Sequence, residues 1–244
     1  MRVFDEQVSG MAGALSLRGA FGGPARPATT VSPASLIPAF PRRHLAVRRA
    51  FDISVALVGV VVTLPAMLLI ALAVKTTSHG PVLFRQERVG RGRHRFQVLK
   101  FRTMAHGTHD EVHACPELQA EYIANGFKLP GHSDRITKVG KVLRKTSLDE
   151  LPQLFNVLKG DMSIVGIRPL VPMELAQRSQ LDQDLYARLR PGLTGLWQIS
   201  GRSTITEEER YALDRHYVAM WTPMLDVRIA FETPAALLRV HHAL

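Results

Sequence analysis

The chain has little of what several common classes of protein need. It contains a single cysteine, Cys115, which excludes a disulfide framework within the chain and a cysteine-rich metal site. It also lacks the P-loop and the Gly-x-Gly-x-x-Gly fingerprint, so a nucleotide would have to be held by other means. Aromatic residues make up 7% of the sequence and no nucleic-acid module is recognisable, so no nucleic acid is expected as a partner.

Acidic side chains are scarce relative to basic ones. The formal net charge is +10 and the isoelectric point is about 10.3. Anionic partners are therefore expected. Because the chain also contains a long apolar segment, membrane headgroups and phosphorylated substrates explain this charge most simply.

The chain divides into three stretches by composition. Residues 1–41 are rich in Gly, Ala, Pro, Ser and Thr without a periodic pattern, and we expect a disordered leader there. The apolar run that follows begins too late and lasts too long for a cleaved signal peptide. We therefore expect a membrane segment at residues 42–76 and a globular domain at residues 77–244.

The run from Ile53 to Val74 contains no charged residue, and as a helix it could cross a hydrocarbon core of about 30 Å. Pro65 lies in its middle, where a proline removes a backbone hydrogen bond and favours a bend; the Thr63 hydroxyl is a candidate partner for the freed backbone. Basic residues flank both ends, which favours placing both ends on the cytoplasmic side. The sequence thus predicts a re-entrant helix broken at Pro65. A spanning anchor and a buried core helix remain as alternatives.

The rest of the chain mixes helical and strand patterns without the regular alternation of a doubly wound sheet. Strands are predicted from Val82 and over Phe96 to Phe101, joined through a Gly-Arg-Gly turn. Helices are predicted near Glu117 to Ala124 and over Ile136 to Arg144, and interfacial helices over residues 217–238. The predicted fold class is α+β: a re-entrant membrane helix hairpin followed by a compact mixed helix and strand domain with interfacial amphipathic helices.

The strongest chemical feature is the adjacent pair Asp149-Glu150. Apolar residues recur after it at helical spacing and Pro152 fits a first turn, so the pair is predicted to begin a helix that ends at Gly160. Neighbouring helical side chains diverge by about 100°, so one carboxylate can act as nucleophile and the other as metal ligand or base. A helix start also favours a bound phosphate. The structural alternative is a capping box formed by Ser147 and Glu150.

Basic residues stand around this pair in the sequence. Arginine forks match phosphate oxygens, and a diphosphate substrate needs several such groups. Any one of these residues alone could equally be a solvated surface charge. The candidates for phosphate binding are Lys100, Arg102, Arg144, Arg168, Arg190 and Arg202.

Four segments carry a specific likeness to a known family. They read KFRTM at 100–104, SLDELPQLFNVLKGDMS at 147–163, VGIRP at 165–169 and RPGLTGLWQISGR at 190–202. In this order they resemble the bacterial sugar transferases, the monotopic polyprenyl-phosphate phosphoglycosyl transferases that initiate exopolysaccharide, capsule and O-antigen assembly. The resemblance extends over about residues 48–238, and the chain looks like a small, exopolysaccharide-type member.

The resemblance implies a reaction in two steps. Asp149, assisted by Mg²⁺, would attack the β-phosphate of a UDP-sugar, forming a phosphosugar-enzyme and releasing UMP. Undecaprenyl phosphate would then accept the phosphosugar. Asp149 and Glu150 would hold the Mg²⁺, with Glu150 as its main ligand. The residues implied in binding phosphate or substrate are the six basic ones above together with Gln198.

The resemblance also implies a place and partners. The chain would lie in the bacterial inner membrane as a monotopic protein on the cytoplasmic face, with membrane lipid and downstream glycosyltransferases as further partners. Two motifs depart from the usual pattern: the Ser-Pro helix break is Leu64-Pro65, and Pro-Arg-Pro is Ile167-Arg168-Pro169. The sugar stays open between glucose, galactose and an N-acetylated hexosamine. A non-catalytic membrane-associated protein that binds UDP-sugar or lipid phosphate is the alternative.

Overall fold

A computed structural model describes residues 39–125, 127, 134–200 and 205–241 of the chain, so the predicted leader lies almost wholly outside the described residues. The helices α1 to α10 are, in order, Arg42–Thr77, Thr108–Ala114, Pro116–Ala124, Lys138–Thr146, Gln153–Lys159, Pro172–Ala176, Gln180–Tyr186, Leu196–Ser200, Glu207–Ala219 and Pro223–His241. The strands β1 to β4 are Leu83–Val89, Arg95–Phe101, Ser163–Val165 and Gly192–Thr194.

The strands form two small sheets. β1 and β2 make an antiparallel hairpin that pairs Leu83 with Phe101, and the connection contains Gly92 at φ 67°, which confirms the predicted hairpin. β3 and β4 are parallel neighbours that the sequence did not predict. They lie so close to the loop after β3 that a Cβ on Gly192 would be 2.0 Å from the Gly166 backbone nitrogen, so only glycine fits there. The mixed helix and strand class is confirmed.

Short helices occur where the sequence predicted them. α3 and α4 match the predicted segments within about two residues, and Thr137 caps α4 by accepting the Gly140 N–H at 2.9 Å. α5 ends as predicted, with Gly160 in the left-handed conformation at φ 96°. Local periodicity and cap residues therefore specify these elements.

The apolar segment differs from its prediction. α1 is a continuous helix of 36 residues with Pro65 inside it, so two helices separated by a non-helical turn are not observed. The Thr63 hydroxyl donates to the Gly59 carbonyl at 2.7 Å, and not to the carbonyl of Val61, which is the one that Pro65 deprives of its donor. Within the described residues, α1 alone is long and apolar enough to cross a membrane by length and composition.

Both halves of α1 pack against the same domain. Before Pro65, Ala56 is fully buried and a Cβ on Gly59 would lie 3.2 Å from the Leu154 side chain. After Pro65, Met67 and Val74 are buried in a cluster that includes residues of β2 and α4. Large apolar side chains elsewhere on the helix are exposed: Val55, Leu57, Val58, Val61, Val62, Leu64, Leu68, Leu69 and Leu72. The helix thus has an exposed apolar surface around Pro65, while residues in both of its halves pack against the domain.

Two arginines in the first turns of α1, before its apolar run, bind the domain. Arg48 is 3% exposed, donates to the Ser163 hydroxyl at 3.0 Å and pairs with Asp226 at 3.3 Å. Arg49 donates to the carbonyls of Val157 and Leu158 at the end of α5. The sequence analysis counted both as membrane-flanking charges. The structure uses them to attach α1 to the domain instead.

At the C-terminal side, α10 is a single helix that contains Pro234. Its buried face includes Asp226 and Ile229, whereas Met224 and Phe231 are 73% and 80% exposed. These exposed apolar side chains agree with an interfacial position, which stays a prediction.

Candidate active site

The acidic pair lies in a 3-10 turn, Leu148–Glu150, that leads into α5. The α-helix itself begins after Pro152, so the pair precedes it. The prediction that the pair begins this helix was therefore wrong, because the chain first makes the 3-10 turn. Ser147 has a left-handed backbone at φ 58° and makes no capping hydrogen bond with its side chain. The capping box of Ser147 and Glu150 is therefore not formed, and the alternative that Glu150 only caps the helix is wrong.

Glu150 is paired across the site with Lys100. The Lys100 ammonium donates to Glu150 Oε1 at 2.6 Å. This contact depends on how β2 meets α5. The amide of Asn156 accepts the Leu99 N–H at 2.9 Å and donates to the Gln97 carbonyl at 2.8 Å, so one α5 side chain continues the hydrogen bonding of β2. Asn156 thus fixes the strand that carries Lys100 relative to the helix that follows the acids.

Asp149 is buried, at 8% exposure, and is surrounded by charges. Burial raises its pKa from an ordinary 3.8 to about 6; the positive charges of Lys100 and Arg144 oppose this rise and the negative charge of Glu150 adds to it. Arg144 is positioned by its own Nε–H, which donates to the Thr103 hydroxyl at 3.1 Å. Gly140 permits this, because a Cβ there would lie 2.0 Å from the Thr103 carbonyl oxygen.

Arg168 also lines the cleft near the acids. Its Nη2 donates to Glu174 Oε2 at 2.9 Å, and the charge of Glu150 also acts on it. The backbone after it is held to β1, because Arg88 donates to the Pro169 carbonyl at 2.9 Å. The turn is thereby fixed although Ile167 replaces the proline of the usual motif.

The acids open into a cleft of about 1430 Å³. Its lining includes Lys100, Asp149, Glu150 and Arg168, and it extends to α1 at Val55 and Gly59 and to α10 at residues 230–234. The cleft therefore joins the charged groups to the elements that carry the exposed apolar surface. Gln198 and Trp197 also line the cleft. The role of Gln198 in substrate binding stays a prediction.

Two of the sequence candidates bind backbone carbonyls, although Arg102 also lines the cleft. The Arg102 guanidinium binds the end of α1, donating to the Val74 and Ser78 carbonyls at 3.2 and 2.7 Å and to the Pro81 carbonyl, so its donors serve the fold. The Nε–H of Arg190 donates to the Gly160 carbonyl at 2.7 Å, outside the residues that line the cleft. Arg202 lies outside the described residues.

The donor set around the acids suits one kind of metal. Among the described residues, no group of three or more His, Cys, Asp and Glu side chains could hold a metal ion. Mg²⁺ commonly takes one or two carboxylates and completes its octahedron with water and substrate phosphate. The carboxylates of Asp149 and Glu150 fit that pattern.

Sequence reasoning missed three polar residues that shape the site. Asn156, Glu174 and Arg210 act through contacts with partners 36 to 59 positions away in the chain, which no local pattern reveals. Asn156 lies within the motif at residues 147–163, where a polar side chain among apolar helix positions could have indicated a structural role. Glu174 and Arg210 carried no such signal.

Comparison with known proteins supports the likeness seen in the motifs. A family model described as bacterial sugar transferase matches residues 43–240. An undecaprenyl-phosphate galactose phosphotransferase of Salmonella typhimurium is 42% identical over 196 residues, 79% of this chain and 40% of that protein. The exopolysaccharide production protein ExoY of Sinorhizobium fredii is 41% identical over 190 residues, 76% of this chain and 83% of that protein.

A third relative is named for another sugar. A UDP-glucose:undecaprenyl-phosphate glucose-1-phosphate transferase of Caulobacter vibrioides is 39% identical over 203 residues, 80% of this chain and 71% of that protein. The matched part of this chain spans about 40% of the length of the Salmonella protein and of two more curated relatives.

Proposed function

Because this chain belongs to the bacterial sugar transferase family, we propose that it is a phosphoglycosyl transferase that moves a sugar-1-phosphate from a UDP-sugar to undecaprenyl phosphate in exopolysaccharide biosynthesis. The observation that carries the proposal is Asp149, a buried carboxylate with a pKa raised to about 6 in a cleft that also contains Lys100 and Arg168. A carboxylate of that kind is ionised at neutral pH and poorly solvated, which suits a nucleophile.

In the first step, an Asp149 carboxylate oxygen attacks the phosphorus of the β-phosphate. A phosphorus–oxygen bond forms, the bond from that phosphorus to the bridging oxygen breaks, and UMP leaves with the bridging oxygen and its electron pair. In the second step, a phosphate oxygen of undecaprenyl phosphate attacks the same phosphorus. The Asp149 carboxylate is expelled unchanged and a lipid diphosphate sugar is released.

The surrounding groups have separate tasks. Lys100 holds Glu150 in place and its charge favours the ionised form of Asp149. Arg144 adds a second positive charge beside Asp149. Both would offset the negative charge that the diphosphate brings. Mg²⁺ bound by Asp149 and Glu150 would supply further charge neutralisation when present.

We further propose that the chain is monotopic and lies on the cytoplasmic face of the inner membrane. Both halves of α1 contact one domain, before Pro65 at Ala56 and after it at Val74, so the two ends of the helix belong on the same side. The exposed apolar surface between them would enter the lipid, as the re-entrant prediction requires. The cleft's extension to Val55 and Gly59 would then bring the lipid phosphate to Asp149.

Topology can be tested with cysteine labelling. Single cysteines placed before Arg42 and after Thr77, in a Cys115→Ser background, should both resist a membrane-impermeant thiol reagent in intact cells and both react after permeabilisation. Labelling of one site alone in intact cells would mean that α1 spans the membrane.

The activity is tested with purified full-length chain, Mg²⁺ and undecaprenyl phosphate against UDP-glucose, UDP-galactose and UDP-N-acetylhexosamines. UMP release together with a lipid diphosphate sugar from at least one donor is expected, and excess chelator should abolish both. Binding of UDP-sugar without any UMP release would favour the non-catalytic alternative. Full activity in excess chelator would remove Mg²⁺ from the proposal.

A further inference from the structure

We propose that Arg168 and Arg210 together form a phosphate site for the nucleotide half of the substrate, and that the buried carboxylate of Glu174 is its positioning residue. The proposal rests on the function proposed above, and it adds Arg210 and Glu174 to the site.

Glu174 connects the two arginines directly. It is 1% exposed, its Oε2 accepts from Arg168 Nη2 at 2.9 Å and its Oε1 accepts from Arg210 Nη2 at 3.3 Å. Since each carboxylate oxygen serves one arginine, the two guanidinium groups are held beside each other. Both arginines line the cleft that contains Asp149.

Arg168, Arg210 and Glu174 together carry a net positive charge. Among the described residues, Glu174 forms ion pairs with both guanidiniums, whereas the buried Asp214 pairs with Arg178 at 3.0 Å and acts on Arg168 and Arg210 only through its charge. The three guanidiniums therefore outnumber these two buried carboxylates. Arg210 also approaches Glu207 Oε1 at 3.4 Å, but that side chain is 56% exposed and its charge is screened by solvent. Within the described part of the chain, the Nε–H groups of Arg168 and Arg210 have no acceptor. Buried donors in native proteins are nearly always satisfied, so an anionic ligand is a fitting partner.

The aromatic ring of Trp197 lies next to the Arg210 guanidinium. The Trp197 ring centre lies 5.9 Å from the Arg210 Cζ, and Trp197 Nε1 and Gln198 Oε1 also have no partner within the described residues. Three unsatisfied donors and one unsatisfied acceptor, Gln198 Oε1, thus occur on residues that line the cleft. Arginine pairs in fixed orientation match phosphate oxygens bidentately.

The position relative to the acids identifies which phosphate would bind. The Glu150 charge acts on Arg168, so the arginine pair adjoins the acidic pair without being part of it. A nucleoside diphosphate carries two phosphates. With the sugar-bearing phosphate at Asp149, the nucleoside-bearing phosphate would lie against Arg168 and Arg210.

The test is equilibrium binding of UDP to the purified full-length chain in detergent, which needs no turnover. Arg210→Gln should weaken UDP binding by about tenfold to a hundredfold, the effect of losing charge-assisted hydrogen bonds. Arg215→Gln is the matched control. Arg215 lies on the same helix and pairs with the buried Asp182 at 2.7 Å, but it does not line the cleft, so its variant should bind UDP within about twofold of the parent.

Further variants separate positioning from folding. Arg210→Lys keeps the charge but loses the fork, and should weaken UDP binding less than Arg210→Gln. Glu174→Gln should weaken UDP binding while leaving binding of undecaprenyl phosphate unchanged, which a general loss of folded protein would not do. If Glu174→Gln does not fold, the two Arg210 variants decide.

UDP binding by Arg210→Gln within about twofold of the parent would overturn the proposal, as would a parent chain that does not bind UDP. The outcome is independent of the proposed reaction. Arg210-dependent UDP binding without lipid product would refute the reaction and keep the site. Formation of lipid product, together with UDP binding that does not depend on Arg210, would support the reaction and refute the phosphate site.

Discussion

Two buried aspartates, Asp226 in α10 and Asp149 in the cleft, show how differently this chain treats similar groups. Asp226 is 2% exposed, and both its oxygens are bonded: Tyr217 donates to one at 2.7 Å and Trp221 to the other at 3.0 Å, with Arg48 at 3.3 Å. Asp149 is 8% exposed and has Lys100 and Arg144 nearby, yet within the described residues no other side chain donates a hydrogen bond to it.

The difference separates a structural carboxylate from a reactive one. Partners on both carboxylate oxygens hold Asp226 in place and attach α1 to α10, so the group is engaged in the fold. Asp149 is stabilised by the nearby charges of Lys100 and Arg144 and by its own backbone N–H. Its oxygens therefore remain available to attack an incoming phosphorus atom, and the cleft gives that atom access.

The largest expected effect comes from Asp149→Asn. An amide is a poor nucleophile, so UMP release should fall by about three orders of magnitude or more while the protein still folds. The measurement is the steady-state rate of UMP release from the sugar nucleotide that the parent uses. A variant that keeps more than about a tenth of parent activity would remove Asp149 from the nucleophile's role.

The same variant should be more stable than the parent at pH 7. The folded-state pKa of about 6 exceeds the ordinary 3.8, so the folded chain binds more protons between these values and its stability falls as pH rises through them. At pH 7 the ionised group costs about 1–3 kcal/mol, which asparagine avoids. Thermal unfolding in detergent should show the gain at pH 7 and its disappearance below about pH 4.

Asp226→Ala should lower stability and leave the catalytic groups in place, the opposite of Asp149→Asn. It leaves Arg48 buried without its carboxylate partner and should lower the free energy of unfolding by about 3–5 kcal/mol, while the molecules that fold keep their catalytic groups. Glu232→Ala on the same helix is the control, because its pair with Arg228 is exposed and should contribute less than about 1 kcal/mol. Equal destabilisation by the two variants would mean that the buried cluster is not what attaches α1.

Asn156→Ala tests the link between the strand and the acids. It removes two part-buried hydrogen bonds, one from the Leu99 N–H and one to the Gln97 carbonyl, so stability should fall by about 1–3 kcal/mol. Because β2 would also move relative to α5, the Lys100–Glu150 contact should loosen and kcat should fall. Unchanged kcat in the folded variant would show that Lys100 is positioned by other contacts.

The smallest effects concern the pH dependence of the rate. Activity of the parent should rise with pH through about 6, as Asp149 ionises. Lys100→Gln removes a positive charge and should move this limb to higher pH, whereas Glu150→Gln removes a negative charge and should move it to lower pH. The rate of residual UMP release by each variant is measured from pH 4.5 to about 8 to find the pH at which the rate rises. If this pH shifts in the same direction in both variants, the assigned charges are contradicted.

Local patterns in the sequence predicted the parts of the fold that local forces determine. The β1–β2 hairpin, the end of α5 at Gly160 and the acidic pair all follow from alternation, cap residues and spacing. The pairing of β3 with β4 and the roles of Arg48 and Asn156 depend on residues far apart in the chain, so no local pattern reveals them. Arg102 and Arg190 looked like Lys100 in sequence, but only the folded chain shows that their guanidiniums bind backbone carbonyls.

The most direct measurement is the mass of the intact protein after incubation with the UDP-sugar and Mg²⁺ but without undecaprenyl phosphate. The account predicts that the parent gains the mass of one sugar phosphate, that peptide mapping places it on Asp149, and that undecaprenyl phosphate removes it. The Asp149→Asn variant should gain nothing. A parent that releases UMP into lipid product without any such adduct, or with the adduct on another residue, would contradict the account.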